Sequence, residues 1–433
     1  MTLYLPKNAF SGGVDFAQYW KDRKYFFTFK SVASSVNGDS AAITELQISP
    51  QHYFQRPDAE HITFNSSLTS LSGFGGNLSA GKNAESGLTY NFNLSWRSPG
   101  LALNDMGYLR VADKISQILM LGYKWTKPTP IYRNIDAGII QWNGWDFGGN
   151  SIFHGGMGWV NTMFNNLYTL VIRGSIDYGI HDNNMLRGGP AVFSPGNSNF
   201  RINLESNTSK KLFMDFGTHQ GFGQYGSQRR NSWDMGMTYR PIDALSIKFD
   251  PNFRVSYNDM QYVEEYSSHG DSRYILAKIN QSTLHFRFRI NFNLTPDLTI
   301  QYFGSPFIST GKYSEFKVVT NPSAKEYTSR FHQYSNSEIQ YDSNTDSYTV
   351  DENGDGNTDF IIENPDFEFK QFQSNLVVRW EYTPGSAIYL VWNQSITNDD
   401  GMGTFEFSND LDQLFSTIPH NVFLIKFSYR FMR

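Results

Sequence analysis

Residues 284–294 read Leu284-His285-Phe286-Arg287-Phe288-Arg289-Ile290-Asn291-Phe292-Asn293-Leu294. Every even position is apolar and every odd one is polar or charged. Period-two alternation puts successive side chains on opposite faces of an extended strand, so the stretch makes a ribbon with one greasy face and one wet face. Its length also matters. A strand tilted at ~45° needs about 9–11 residues to cross a bilayer, whereas strands of soluble sandwiches usually have about five or six.

The design recurs along the chain. From Leu245 to Tyr257 the odd positions carry Leu245, Ile247, Phe249, Phe253, Val255 and Tyr257, and the even ones Ser246, Lys248, Asp250, Asn252, Arg254 and Ser256. Leu88 to Arg97, Phe200 to Ser206, Phe372 to Tyr382 and the closing Val422 to Met432 follow it. Turn-forming residues punctuate the pattern at 21–23, 81–86, 127–130, 165–166, 207–210, 241–243, 295–297 and 383–385. Longer polar segments alternate with them at 34–68, 98–114, 181–197, 305–368 and 397–419. Short turns on one rim and long loops on the other are the habit of outer-membrane barrels.

The chain is therefore read as all-β, a transmembrane antiparallel up-and-down β-barrel. It forms one domain over residues 1–433, with about 16–18 strands and its largest extracellular loop at about 305–368. Eight tight turns and about eight long loops give roughly seventeen strands. A bacterial barrel closed by one chain has an even number. Either Thr2 to Leu5 ends another strand, or the chain is the C-terminal part of a larger barrel.

Composition excludes the competing classes. Aromatics supply 16% of residues and charged residues 18%, the latter below the roughly 25% of soluble domains. Mean hydropathy is −0.46, and no apolar run approaches the ~20 residues of a membrane-spanning helix. The absence of cysteine rules out disulfides and Cys-ligated metals. A net charge of −5 without a long basic run gives no nucleic-acid footprint. Met1 to Pro6 has no basic region leading into an apolar stretch, so a secretory signal, and with it further sequence, is expected ahead of it.

Several stretches resemble one family of Bacteroidota outer-membrane proteins of unassigned function. They are Tyr53-Phe54-Gln55-Arg56-Pro57-Asp58, Trp96-Arg97-Ser98-Pro99-Gly100, Leu103-Asn104-Asp105-Met106-Gly107-Tyr108-Leu109-Arg110 and Trp145-Asp146-Phe147-Gly148-Gly149-Asn150. Leu186-Arg187-Gly188-Gly189-Pro190, Thr238-Tyr239-Arg240-Pro241, Gly311-Lys312-Tyr313-Ser314 and Arg379-Trp380-Glu381-Tyr382-Thr383-Pro384-Gly385-Ser386 complete the set. The resemblance spans nearly the whole chain and implies an outer-membrane barrel. Members usually carry an N-terminal domain similar to a family-nine carbohydrate-binding module, which these residues do not include. The resemblance brings no reaction or catalytic residue.

Two constellations carry chemistry. Asp351, Asn353, Asp355, Asn357 and Asp359 place oxygen ligands at alternate positions, with Gly356 for the sharp turn, which reproduces the first half of a calcium loop. The twelfth position is Ile362, with Glu363 one place later, so the closing carboxylate is missing or displaced. Ca²⁺ binding and a plain solvated acidic turn both remain open. The second constellation is a set of interior charges: Arg97, Lys248, Arg254, Arg287, Arg289, Arg379 and Lys426, with Glu205, Asp250 and Glu381 as partners. They either line a pore for anionic or hydroxylated solutes or form a ladder that stiffens the lumen. Trp142, Trp145, Trp159 and Tyr108 are expected on the exterior, in a girdle or against sugars.

No HExxH site and no GxSxG elbow occurs. The expectation is a non-enzymatic, multi-pass barrel of the bacterial outer membrane, in transport or uptake and linked to glycans. One alternative is a scaffold or accessory subunit of an outer-membrane complex, and a weaker one is an outer-membrane hydrolase. Expected partners are lipid and lipopolysaccharide, other outer-membrane proteins and oligosaccharide.

Overall fold

The computed structural model describes residues 6–105, 107–268, 270–399 and 403–431. The chain runs through β1 (Asn8–Trp20), β2 (Tyr25–Asn37), helix α1 (Ser40–Ile48), β3 (Ser70–Lys82), β4 (Gly87–Arg97), β5 (Lys114–Trp125), β6 (Tyr132–Trp145), β7 (Ser151–Phe164) and β8 (Thr169–Asp177). A small pair, β9 (Ile180–Asp182) and β10 (Val192–Ser194), leads to β11 (Asn197–Glu205), β12 (Leu212–Gly223), β13 (Gln228–Ile242), β14 (Leu245–Ser268), β15 (Asp271–Asn293) and β16 (Leu298–Val319). Short strands β17 (Phe331–Gln333), β18 (Ile339–Asp342), β19 (Ser347–Val350) and β20 (Phe360–Glu363) follow. The chain ends with β21 (Phe367–Thr383), β22 (Ser386–Asn398), helix α2 (Phe407–Ser416) and β23 (His420–Ser428).

Among the described residues the main sheet has 18 strands. One of them, β17, is a three-residue addition to the top of β16. The rest, β1–β8, β11–β16 and β21–β23, form an up-and-down wall in which each strand pairs antiparallel with the next. The eight expected tight turns join wall strands along one rim, and the outer connections lie along the other.

Ladder partners share a face, so the register lets each face be followed around the wall. One face carries Lys30, Asn77 and Ser95 in succession, then Arg201, His219, Ser232, Arg254 and Thr283, then Asn375 and Asn393. This face is the lumen. It is polar, and loops fold onto it: Leu101 lies against Gly73 and Gly75, where a Cβ would meet its atoms at 2.1–2.8 Å. The segment bearing α1, capped by Asp39 Oδ1 accepting from Ala42 N at 2.8 Å, packs Ile43 and Phe54 on Val36 and Leu71 of the same face.

The opposite face is an exposed apolar band that includes Phe16, Leu121, Phe200, Phe216, Trp233, Met235, Leu390 and Ile425. Trp20, Trp125, Tyr239 and Trp380 sit on it beside the short-turn rim, the level at which interfacial aromatics anchor a barrel. Lipid is the medium in which such a surface costs nothing.

Strands β14, β15 and β16 have 24, 23 and 22 residues, about twice what a bilayer needs. Bulges near Asp259 and Glu315 bend their upper halves. Alternate residues there serve two cores: Ile275 and Ala277 pack under the small sheet β18–β20, and Leu276 packs with Leu186, Val192 and Met260. The expected loop at 305–368 is corrected accordingly. Residues 305–319 continue β16, pairing with β15 and β21, because the polar run Ser309 to Lys312 and the left-handed Glu315 (φ 53°) disguise a strand that has left the membrane. The excursion proper is 320–366 and contains four short strands.

Candidate functional site: the lumen wall and its mouth

All seven charges expected to face the interior lie on the lumen face of their strands. The wall gathers them unevenly. Lys248 pairs with Arg289 across the β14–β15 ladder, and Asp250 with Arg287. Asp250 Oδ2 lies 3.1 Å from Lys248 Nζ and 3.9 Å from Arg287 Nε, yet the two cations remain 47% and 57% exposed. Arg289 stands 5.7 Å over the Phe303 ring. Near the short-turn rim, Arg379 pairs with Glu381 and donates from Nε to the Tyr389 hydroxyl at 3.3 Å. Lys426 lies over the same Tyr389 ring at 5.6 Å. Arg254 donates to Thr283 Oγ1 while its Nε is buried without a partner. Arg97 stands apart at the mouth, donating to the Val111 carbonyl.

Trp142 and Trp159 are corrected in place. Both lie on the lumen face, not the exterior, because Trp142 pairs with Gly155 and Trp159 with Gly138. Trp142 donates to Asp177 Oδ1 at 3.1 Å and Trp159 to Asp136 Oδ1 at 3.2 Å. Trp159 rests on Gly138, where a Cβ would stand 2.4 Å from Cη2. Trp145 is on the outward face, opposite Ile115, and Tyr108 stands 84% exposed beside a cleft lined by Lys30, Asn77, Asn93, Arg97 and Arg110.

At the mouth, three connections meet on one buried carboxylate. Asp113 accepts from Arg56 Nη2 at 2.8 Å, from His61 Nε2 at 3.0 Å and from Phe147 N at 2.9 Å. Arg56 and Asp113 are each 4% exposed at the side chain. Asp58 Oδ2 accepts from Ala191 N at 2.7 Å and so ties in the 178–196 loop. A cavity of about 170 Å³ lies beside this lock, lined by Arg56, Asp58, Asp146, Asn150, His181 and Asn183 among others. His61, Asp113 and Asp146 bring ligand atoms within 4.8 Å of one another. A metal does not fit there. The Arg56 guanidinium already supplies the positive charge, and Asp146 is engaged by Asn150 through both oxygens.

The 351–359 loop is wound as its sequence suggests. Asp351 accepts from Gly354 N and Gly356 N, Asn353 from Asp355 N, and Asp355 from Asn357 N. Asp359 Oδ2 accepts from Glu352 N, and Asn357 lies exposed beside it. Glu352 is engaged elsewhere, by Arg273 and the Tyr334 hydroxyl. Burial first, then that hydrogen bond, pushes the Tyr334 phenol far above its ordinary range, so it stays a donor. Ile362 is fully buried in the core beneath the small sheet, and Glu363 on the next position faces away from it. The bidentate closing ligand of a calcium loop is therefore not available from this strand.

The family model described as Domain of unknown function (DUF5916) matches residues 36–344 and 326–432. The chain belongs to this family. The lock residues Arg56, His61, Asp113 and Asp146 fall in the first DUF5916 match, and Arg379 and Lys426 in the second. No curated protein matches the chain. Among solved structures, the ferric enterobactin receptor (PfeA), solved in complex with BCV-L6, is similar at 8% identity over 90% of this chain and 68% of that one, with a TM-score of 0.42.

Proposed function

We propose that this chain forms the wall of an outer-membrane channel of a Gram-negative bacterium that passes hydroxylated or anionic solutes, oligosaccharides among them, and that it carries out no chemistry of its own. The observation that carries this reading is the state of the lumen charges. Lys248 and Arg287 share one carboxylate and remain half exposed, which supports water rather than packed side chains at that level. Indoles set beside carboxylates on the same face suit sugar rings, whose C–H faces stack on aromatics while hydroxyls find acceptors. The loops at 38–69 and 98–113 pack on β2 and β3, whereas these rungs belong to β14 and β15.

Single-channel recording of the intact protein in a planar bilayer tests the proposal. Stable conductance steps are expected, and Arg287→Glu with Arg289→Glu should turn the pore toward cations. A correctly folded protein that stays silent would remove the transport reading. It would leave the scaffold reading, which the tall β14–β16 strands and their β18–β20 cap favour as a docking surface above the membrane.

A weak Ca²⁺ site at Asp351, Asn353, Asp355, Asn357 and Asp359 belongs to the same proposal, with a role in stiffening the 320–366 excursion. Without the closing carboxylate its dissociation constant should fall in the ~10⁻⁴–10⁻³ M range of weak extracellular sites. Calorimetry should give heat at millimolar calcium that Asp351→Ala abolishes; no heat from the unaltered protein would refute the site.

A further inference from the structure

The wall has two ends. β1 pairs with β2 and β23 pairs with β22, and among the described residues neither has a second neighbour. Every residue of β1 is exposed, as is all of β23 but its last. Both ends lie at membrane depth, since the outward faces of β1 (Phe10, Val14, Phe16) and β23 (Phe423, Ile425, Phe427) continue the apolar band. In hydrocarbon an open strand edge leaves a row of N–H and C=O groups with no partner, at several kcal/mol each. Something must pair with both edges.

Strand direction limits what it can be. β1 runs into the short turn at 21–24, and β23, which follows the outer excursion at 399–419, runs toward the same rim. A direct seam between them would be parallel. A second copy inserted in the same orientation offers only edges that also run toward that rim, so each edge-to-edge pairing of two copies would be parallel as well. Every wall ladder is antiparallel.

We infer that the gap is closed by an odd number of further transmembrane strands, the first and last of which run from the short-turn rim to the outer rim. We place them in the same polypeptide, joined to the outer-rim end of β1. A strand ahead of β1 in an up-and-down path ascends and so meets it antiparallel, and an odd addition to seventeen wall strands gives the even total of bacterial barrels. The inference rests on the membrane location of the wall and is independent of what passes through it.

These 433 residues contain no cysteine, so a cysteine introduced among them has no native neighbour of its kind within this wall. In the full-length protein in its own outer membrane, Val14→p-benzoylphenylalanine and Ile425→p-benzoylphenylalanine are irradiated separately and the adducts mapped by mass spectrometry. Each should form an adduct within one chain, at unchanged chain mass, to peptides preceding residue 6. A Val14 adduct to β23, a disulfide formed by Ala17→Cys with Leu424→Cys, or an adduct to another chain would overturn the inference. Phe216→Cys, central in the apolar band, serves as the control for location. It should resist a membrane-impermeant maleimide whatever closes the gap, and if it reacts, the membrane reading itself has failed.

Discussion

Asp113→Ala will open the outer mouth, raising the rate of proteolytic cutting within residues 38–69 of the folded protein by about two to three orders of magnitude. Arg56 and Asp113 form a pair 4% exposed on both sides. Removing one partner of such a pair strands the other charge in the interior, at about 3–5 kcal/mol, and each 1.4 kcal/mol is a factor of ten in an opening equilibrium. Phe147 N and His61 lose their acceptor in the same step, which uncouples the 146–150 turn from the loop bearing α1. Cutting reports the population of the open form while opening and closing outpace the protease. Asp113 sits in the left-handed region at φ 48°, which Asn tolerates better than Ala. Asp113→Asn keeps the backbone and one acceptor oxygen, enough for Phe147 N, but loses the charge and the second acceptor, and should have a smaller effect than Asp113→Ala. A cutting rate for Asp113→Ala equal to that of the unaltered protein would mean that the lock bears no stability.

How much of this was legible in the sequence follows from where alternation survives. In β4, β14, β15, β21 and β23 the greasy and wet residues alternate, and with them the strands, their faces and the seven lumen charges can be read off directly. From β5 to β8 the pattern blurs, because glycines such as Gly122, Gly138 and Gly155 take lumen positions so that a neighbour's indole can lie flat on the wall. Those strands therefore hid Trp142, Trp159 and their carboxylates. A glycine opposite a tryptophan across a ladder is the signal that would have found them. The lock could not be found this way, since Arg56 and Asp113 are 57 residues apart and meet only when two loops fold into one mouth. Its one local trace is that Arg56 and Asp146 each fall in a stretch that resembles the family.

Lys370→Ala is expected to loosen helix α2 and steepen the pH dependence of its docking. Lys370 pairs across the ladder with Ile308, on the face that carries the apolar band lower down, yet its side chain is 0% exposed. The reason is α2, which lies over that face. Leu414 packs on Phe372 and Ile396, and Phe407 and Phe415 meet Phe286 and Phe372. Beneath it Lys370 is paired with Glu368 and donates to Gln413, while Asp410 is 1% exposed. Burial first, and the neighbouring Glu368 carboxyl after it, raise the pKa of Asp410 above the usual carboxylate range. Its Oδ2 accepts from Glu406 N at 2.9 Å. For an acid whose folded pKa is raised, the stabilisation is complete below the unfolded value and is lost as pH rises through the folded value. Docking should therefore be firmest in mildly acidic medium and loosen toward alkaline pH. With Lys370 removed, two carboxyls share a dry site without a cation, a loss of about 3–5 kcal/mol at neutral pH. Amide exchange across 407–416, corrected for intrinsic rates, should accelerate by about two to three orders of magnitude, and lowering the pH should recover part of the protection. Lys370→Met restores the volume without the charge and should keep the pH response. Unchanged exchange in Lys370→Ala, or protection that grows with rising pH, would show that α2 is held by its aromatic contacts alone.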